Sequence, residues 1–206
     1  MSRADVVAIV LAGGASSRFG SDKMAARLDG RPLLHHALEA VAEVARRIIV
    51  VMAPGAAEPI VPSAVAGQVQ IARDSVAHAG PLAGLAAGLA AVRDEPPRIV
   101  LVVGGDMPAL VPGVLRLLLD SLTANSNLAA MTLAASPPPP LPMAARPTGI
   151  SDAIAACLVG DRRSLRALLD AVPSAPVPEA SWRALDPGAR TLADVDRPDD
   201  LLPGDG

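Results

Sequence analysis

The sequence predicts an α/β domain built from crossover units on a parallel sheet, and three observations predict it. Short apolar runs alternate with segments whose apolar residues recur at spacings of three and four. Those runs are apolar at consecutive positions, as strands buried on both faces of a parallel sheet must be. A glycine-rich loop follows the first run, at the carboxyl edge where such sheets gather their ligands.

In chain order, the first strand is "VVAIVLA" (6–12), and the helix after it carries Leu34, Leu38, Val41 and Val44 on one face. "RIIVVM" (47–52) and "VQIAR" (69–73) form the next two strands. A second helix presents Leu82, Leu85, Leu89 and Val92, and Pro32 and Pro81 stand where a first helical turn tolerates proline. The fourth strand is "RIVLVVGG" (98–105), the third helix contains "VPGVLRLLLDSL", and "LAAMTLA" (128–134) is a fifth strand. "SPPPPLP" (136–142) reads as a stiff extended connector, because successive prolines exclude both helix and ladder pairing. Helical patterns return at 150–158 and 164–172, before a proline-punctuated stretch and "RTLADVDRPDDL" (190–201).

A chain of 206 residues holds one sizeable core and is short for two, which predicts a single domain over 1–206. Hydrophobic residues make up 51% of it, yet no uncharged apolar run reaches the roughly 18 residues of a membrane span. The N-terminus places a basic residue before an apolar run, but glycines and a strand pattern follow where a signal peptide would be cleaved. The single cysteine, Cys157, makes no internal disulfide and reads as a small buried helix residue, in keeping with a reducing cytoplasm. A net charge of -3 with scattered basic residues argues against nucleic acid as the partner and for a small ligand.

The loop "LAGGASSRFGSDK" (11–23) supplies what a phosphate needs. Gly13, Gly14 and Gly20 let the backbone approach a ligand or adopt positive φ, and successive N–H groups there make an anion cradle. The spacing fits neither the dinucleotide fingerprint nor the P-loop. Of the eighteen basic residues only Lys23 is lysine, and a compact charge on a flexible stem can follow a migrating phosphate in a way that the planar fork of arginine cannot. Arg18 adds a second cation to the loop.

"VVGGDMP" puts Asp106 at the same carboxyl edge, where a carboxylate can hold Mg²⁺ against phosphate oxygens; without a ligand it reads as a turn or N-cap residue. Asp74, after the third strand, has the same placement. The helix opening at Pro81 and Leu82 in "AGPLAGLAAGL" can turn its free N–H groups toward a base or phosphate, while Gly84 and Gly88 can equally serve close packing. His35, His36 and His78 read as core or surface residues.

"LAGGASSRFGSDK" resembles the signature loop of nucleotidyltransferases with the nucleotide-diphospho-sugar transferase fold. "GPLAGLAAGL" and "VVGGDMP" narrow the resemblance to the molybdenum cofactor guanylyltransferases, the MobA family, and their close relatives. "GDRRSLRALL" (160–169) and "ADVDRPDDL" (193–201) extend it over nearly the whole chain.

The resemblance implies a Rossmann-like three-layer sandwich with a mostly parallel sheet. It also implies transfer of GMP from GTP to the terminal phosphate of molybdopterin, release of pyrophosphate, and transient contact with other proteins of cofactor biosynthesis. Carried over residue by residue, it assigns Leu11, Ala12, Gly13 and Gly14 to the nucleotide, Lys23 to its phosphates, Asp74 to the nucleoside end and Asp106 to Mg²⁺.

Three places depart from the family pattern. Met52 or Ala53 stands where the family has asparagine, Asp194 and Asp196 replace asparagines of the C-terminal motif, and "PPLPMAAR" replaces a segment that usually contains histidine. A cytidylyltransferase for the same cofactor, a phospholactate guanylyltransferase and a non-catalytic nucleotide-binding homologue therefore stand as alternatives.

Overall fold

The computed structural model describes residues 2–13, 23–74, 79–197 and 200. In chain order its elements are β1 (Val6–Leu11), β2 (Arg27–Leu28), β3 (Arg31–Pro32), α1 (Leu33–Ala42), β4 (Arg47–Met52), β5 (Val69–Arg73), α2 (Pro81–Ala90) and β6 (Ile99–Gly104). There follow α3 (Pro112–Ala124), β7 (Ala130–Leu133), β8 (Met143–Ala145), α4 (Pro147–Val159), α5 (Leu165–Leu169), β9 (Ser174–Val177) and α6 (Glu179–Arg183). Seven strands form one sheet in the order β5-β4-β1-β6-β8-β7-β9, in which only β8 runs antiparallel to its neighbours.

The alternation of side chains along a strand divides the interior into two layers of packing. Val6, Ala8 and Val10 of β1 face α1, α3 and the fully buried Trp182 of α6. Val7 and Ile9 face α2, α4 and α5 on the other side. The result is an α/β sandwich of three layers, as expected. No described helix is long and apolar enough to cross a membrane.

The expected strands are present with trimmed ends, and the structure adds four short ones. β2 and β3 form a hairpin around Asp29 and Gly30, both at positive φ, which is the geometry an Asp-Gly pair favours in a two-residue turn. β8 is three small or flexible residues, all buried, inserted between β6 and β7 directly after the proline connector. β9 carries Pro176 and lies at the sheet edge, paired only with β7, where a missing N–H is tolerated.

Two helix expectations shift. α1 ends at Ala42, so the buried Val44 packs from beyond the helix. In α2 the close contact with the sheet is made by glycines. A Cβ on Gly88 would come within 2.7 Å of Ile9 Cγ2, and one on Gly84 within 3.3 Å of Leu11 Cδ2, so the helix lies unusually near β1.

Candidate active site

β1, β4, β5 and β6 all point their carboxyl ends to one edge. Backbone pairing continues past the strand ends. The Ala12 amide donates to Val51 O, the Gly105 amide to Leu11 O and the Asp74 amide to Met52 O, each at 2.9 Å. The loops therefore leave the sheet from fixed positions, and they enclose a cleft of about 700 Å³.

One end of the cleft is charged. Lys23 Nζ donates to Asp106 Oδ2 at 2.8 Å and to Asp196 Oδ1 at 3.3 Å. The lysine side chain is 13% exposed, against 28% for Asp106 and 60% for Asp196. Both glycines before Asp106 make room for this arrangement. A Cβ on Gly104 would collide with Asp106 Oδ1, and one on Gly105 would come within 2.8 Å of Met24 Sδ. The Val195 amide donates to Asp106 O at 3.0 Å, which delivers Asp194 and Asp196 to the site from the far end of the chain.

Burial works against the charge on Lys23, but its hydrogen bonds and attraction to Asp106, then to Asp196, outweigh that and raise its pKa. Asp194 is pushed above the usual carboxylate range, first by burial and then by the negative charges of Asp196 and Asp106. Three carboxylates thus gather around Lys23, the only basic residue lining the cleft among the described residues.

Among the described residues no three acidic, histidine or cysteine side chains are close enough to cage a metal. Mg²⁺, however, commonly takes one or two carboxylates plus substrate phosphates rather than a cage made by protein alone. The oxygen donor of Asp106 and the presence of three carboxylates around one lysine both fit such an ion.

The other end of the cleft is apolar. Met52, Ala53, Ala56 and Ala57 line it, with Pro81, Gly84 and Leu141 nearby. Ala53–Ala56 forms a turn with Pro54 second, Gly55 third at φ 72°, and the Ala56 amide donating to Ala53 O at 3.2 Å. Proline presets the first of these positions and glycine alone readily adopts the second.

Residues 8–176 match the family described as the MobA-like NTP transferase domain. The chain belongs to this family. Among its MobA-like relatives, a protein of Chloroflexus aggregans named "Probable molybdenum cofactor guanylyltransferase" is 30% identical over 200 residues, covering 94% of this chain and 90% of its own. A protein of the same name from Mycobacterium avium is 31% identical over 199 residues, covering 94% and 91%. The fold is shared with molybdopterin-guanine dinucleotide biosynthesis protein A from Archaeoglobus fulgidus, at a TM-score of 0.74, 22% identity and coverage of 95% and 94%. It is shared also with 2-C-methyl-D-erythritol 4-phosphate cytidylyltransferase from Thermus thermophilus, at a TM-score of 0.67, 18% identity and 94% coverage of each chain.

Of the residues the sequence singled out in this MobA-like chain, Leu11, Ala12, Gly13, Lys23, Asp74, Pro81 and Asp106 line the one cleft. Gly14, Arg18, Gly20 and His78 lie outside the described residues.

Leu82 is a correction. Its side chain is fully buried in the core beneath α2, and its amide donates to Arg163 O at 3.1 Å instead of facing a ligand. Gly80, at φ 87°, allows that contact, since a Cβ there would meet Arg163 at 2.9 Å. Gly13 also has a reason within the fold, because a Cβ would come within 2.9 Å of Ala53 N. His35 and His36 serve structure, bonding Ile60 O at 2.7 Å and Leu28 O at 3.1 Å.

Several cleft residues had not been picked out. Leu141 lies in the connector that reads as a spacer, and alanines at 56 and 57 carry no chemical signal at all. In the sequence Asp194 and Asp196 stand out as departures from a motif, able to bind a second metal or to repel an anionic pterin. The bond between Asp196 and Lys23 spans 173 positions and has no local trace.

Proposed function

We propose that this MobA-like NTP transferase joins GMP from GTP to the terminal phosphate of molybdopterin and releases pyrophosphate, in the cytoplasm and with Mg²⁺ as its cofactor. The observation that carries it is the Lys23–Asp106 pair, set 2.8 Å apart at the carboxyl edge of a parallel sheet inside a cleft of nucleotide size. The names of the relatives that match over most of the chain support guanine and the pterin as substrates.

An oxygen of the pterin phosphate attacks the α-phosphorus, a P–O bond forms, and the bond to the β-phosphate oxygen breaks with its electron pair leaving on pyrophosphate. The protein has to position the two anions and offset their charge; it needs no covalent nucleophile. Lys23, kept protonated by its carboxylate partners, exchanges one of them for a phosphate oxygen. Such a charge-assisted contact contributes about 1.5–3 kcal/mol. Asp106 would hold the metal and Asp74 the nucleoside end, and Leu11, Ala12 and Gly13 would form the floor beneath the nucleotide. Mg²⁺ bound there offsets triphosphate charge and orients the leaving pyrophosphate.

Pyrophosphate release, measured with each nucleoside triphosphate in the presence and absence of molybdopterin, tests the proposal. Release is expected with GTP and Mg²⁺ only when the pterin is supplied. The absence of any polar side chain among Met52, Ala53, Ala56 and Ala57 favours one second reading, a cytidylyltransferase for the same cofactor. Preference for CTP would establish it.

A further inference from the structure

The apolar wall of the cleft raises a problem of recognition. A base is told apart from others by hydrogen bonds to its edge, yet Met52, Ala53, Ala56 and Ala57 offer no side-chain donor or acceptor of ordinary strength. Any polar contact from this wall must come from the main chain. Main-chain groups discriminate only when the segment that carries them is held still.

Two devices hold it. One is the turn Ala53–Ala56, with Pro54 and the positive-φ Gly55. The other is Arg73, the last residue of β5, whose Nη1 donates to Ala56 O at 2.7 Å and to Ala53 O at 3.4 Å. A single guanidinium nitrogen therefore spans both ends of the turn. Arg73 does not itself line the cleft. It adjoins Asp74, whose own amide is fixed to Met52 O, so the turn and the nucleoside end of the site share one anchor on the sheet.

We infer that Arg73 is a positioning residue for base selection, acting through the main chain of the Ala53–Ala57 wall. The inference rests on the reading of the cleft as a nucleotide site, and goes beyond it in naming how the base is chosen where no side chain of the wall can choose it. Loss of the clamp frees Ala56 O, leaves Ala53 O with only its turn bond from the Ala56 amide, and lets the wall move, which weakens contacts to the base and leaves the phosphate end alone.

The test is equilibrium binding of GMP, CMP, AMP and UMP, and of inorganic pyrophosphate, to the wild type, Arg73→Ala and Arg73→Lys, with thermal unfolding of each. The preferred nucleotide should bind Arg73→Ala about 3- to 10-fold more weakly, the size of one lost hydrogen bond, and the others by less, so the preference narrows. Pyrophosphate affinity should not change. Arg73→Lys, which keeps a donor for Ala56 O, should retain most of the preference.

Equal weakening of all four nucleotides, or no change in any, overturns the inference. A wild type that prefers CMP, with the preference eroded in Arg73→Ala, overturns the guanine assignment and supports the clamp. A wild type that prefers GMP, with the preference untouched in Arg73→Ala, does the reverse. A wild type that does not distinguish the bases overturns both.

Discussion

The two ends of the cleft are built on different principles. At one end Lys23, Asp106, Asp194 and Asp196 put acidic and basic side chains around a point where phosphates would sit. At the other, Met52, Ala53, Ala56 and Ala57 present methyl and thioether groups on a turn fixed by Arg73. Phosphate is common to every nucleotide, so a charged end made of side chains serves chemistry that does not depend on the base. On the inference above, the wall contributes to the choice of base through backbone geometry, which a neutral surface can shape without adding charge. Changes to side chains at the first end should cost rate, and changes to support at the second should cost discrimination.

The sharpest way to break this division is Asp106→Asn, which keeps the size of the side chain and removes its charge. Turnover should fall by more than about 100-fold through loss of the proposed metal ligand and of the lysine's nearest partner, and added Mg²⁺ should restore part of it. Near-normal turnover of the folded variant at limiting Mg²⁺ would remove Asp106 from the site.

Lys23→Ala comes next, with an expected loss of roughly 10- to 150-fold in kcat and little change in unfolding temperature. Lys23→Arg should also be impaired, because a planar fork cannot satisfy two carboxylates and then a phosphate from one point. A fully active arginine variant would make the sole lysine an accident of composition.

Asp196→Asn has a smaller effect and the opposite sign. Removing the more exposed partner of Lys23 should tighten GTP binding by about 2- to 5-fold at low salt and less at high salt, as measured by calorimetry. Asp194→Asn makes the same change of charge without a hydrogen bond to Lys23, and should tighten binding less. Equal effects of the two would mean that only net charge matters at that end.

The smallest effect on turnover should come from Asp186, which is fully buried and accepts from the Thr191 amide at 2.7 Å ahead of the segment that reaches the site. Burial pushes its pKa up, but the hydrogen bonds from Thr191 and then the pull of Arg190 bring it below the usual value. Its folded pKa is depressed, so its stabilising contribution is present above the ordinary carboxylate pKa and is lost as pH falls below it. Asp186→Asn should lower the unfolding temperature by about 2–4 °C at neutral pH, for a loss near 1 kcal/mol, and the gap should close in acid.

The charged end was far more legible in the sequence than the apolar one. Lys23 is the one lysine of the chain, at the end of a glycine-rich loop, and Asp106 directly follows two glycines at a strand end, so their chemistry announces itself. Ala56 and Ala57 are indistinguishable from the many other alanines, and Arg73 looks like any of the seventeen arginines. In the fold, long apolar strands such as β1 and β6 were plain, because five or six buried residues in a row leave little alternative. β8 was not, since three residues after a run of prolines carry no periodicity. The β2–β3 hairpin did have a signal, the Asp29-Gly30 pair, but two-residue strands give it nothing on either side to frame. Leu82 was misplaced for a reason of handedness around the helix. Position alone says that it opens α2, but it does not say that the first turn faces the core.

The pairing of Lys23 with Asp196 bears on how the protein comes into being. At translation rates of about 5–20 residues per second, the 173 positions between them take about 10–35 seconds to synthesise. Strands β1, β4 and β5 are complete well before then, while the Val195 amide that docks on Asp106 does not yet exist. During that interval Asp196 is not available, so Lys23 can have only one of its two carboxylate partners. The ion-paired cluster can close only once Val195 and Asp196 have been made, so its assembly is a late event in synthesis whatever the earlier strands do.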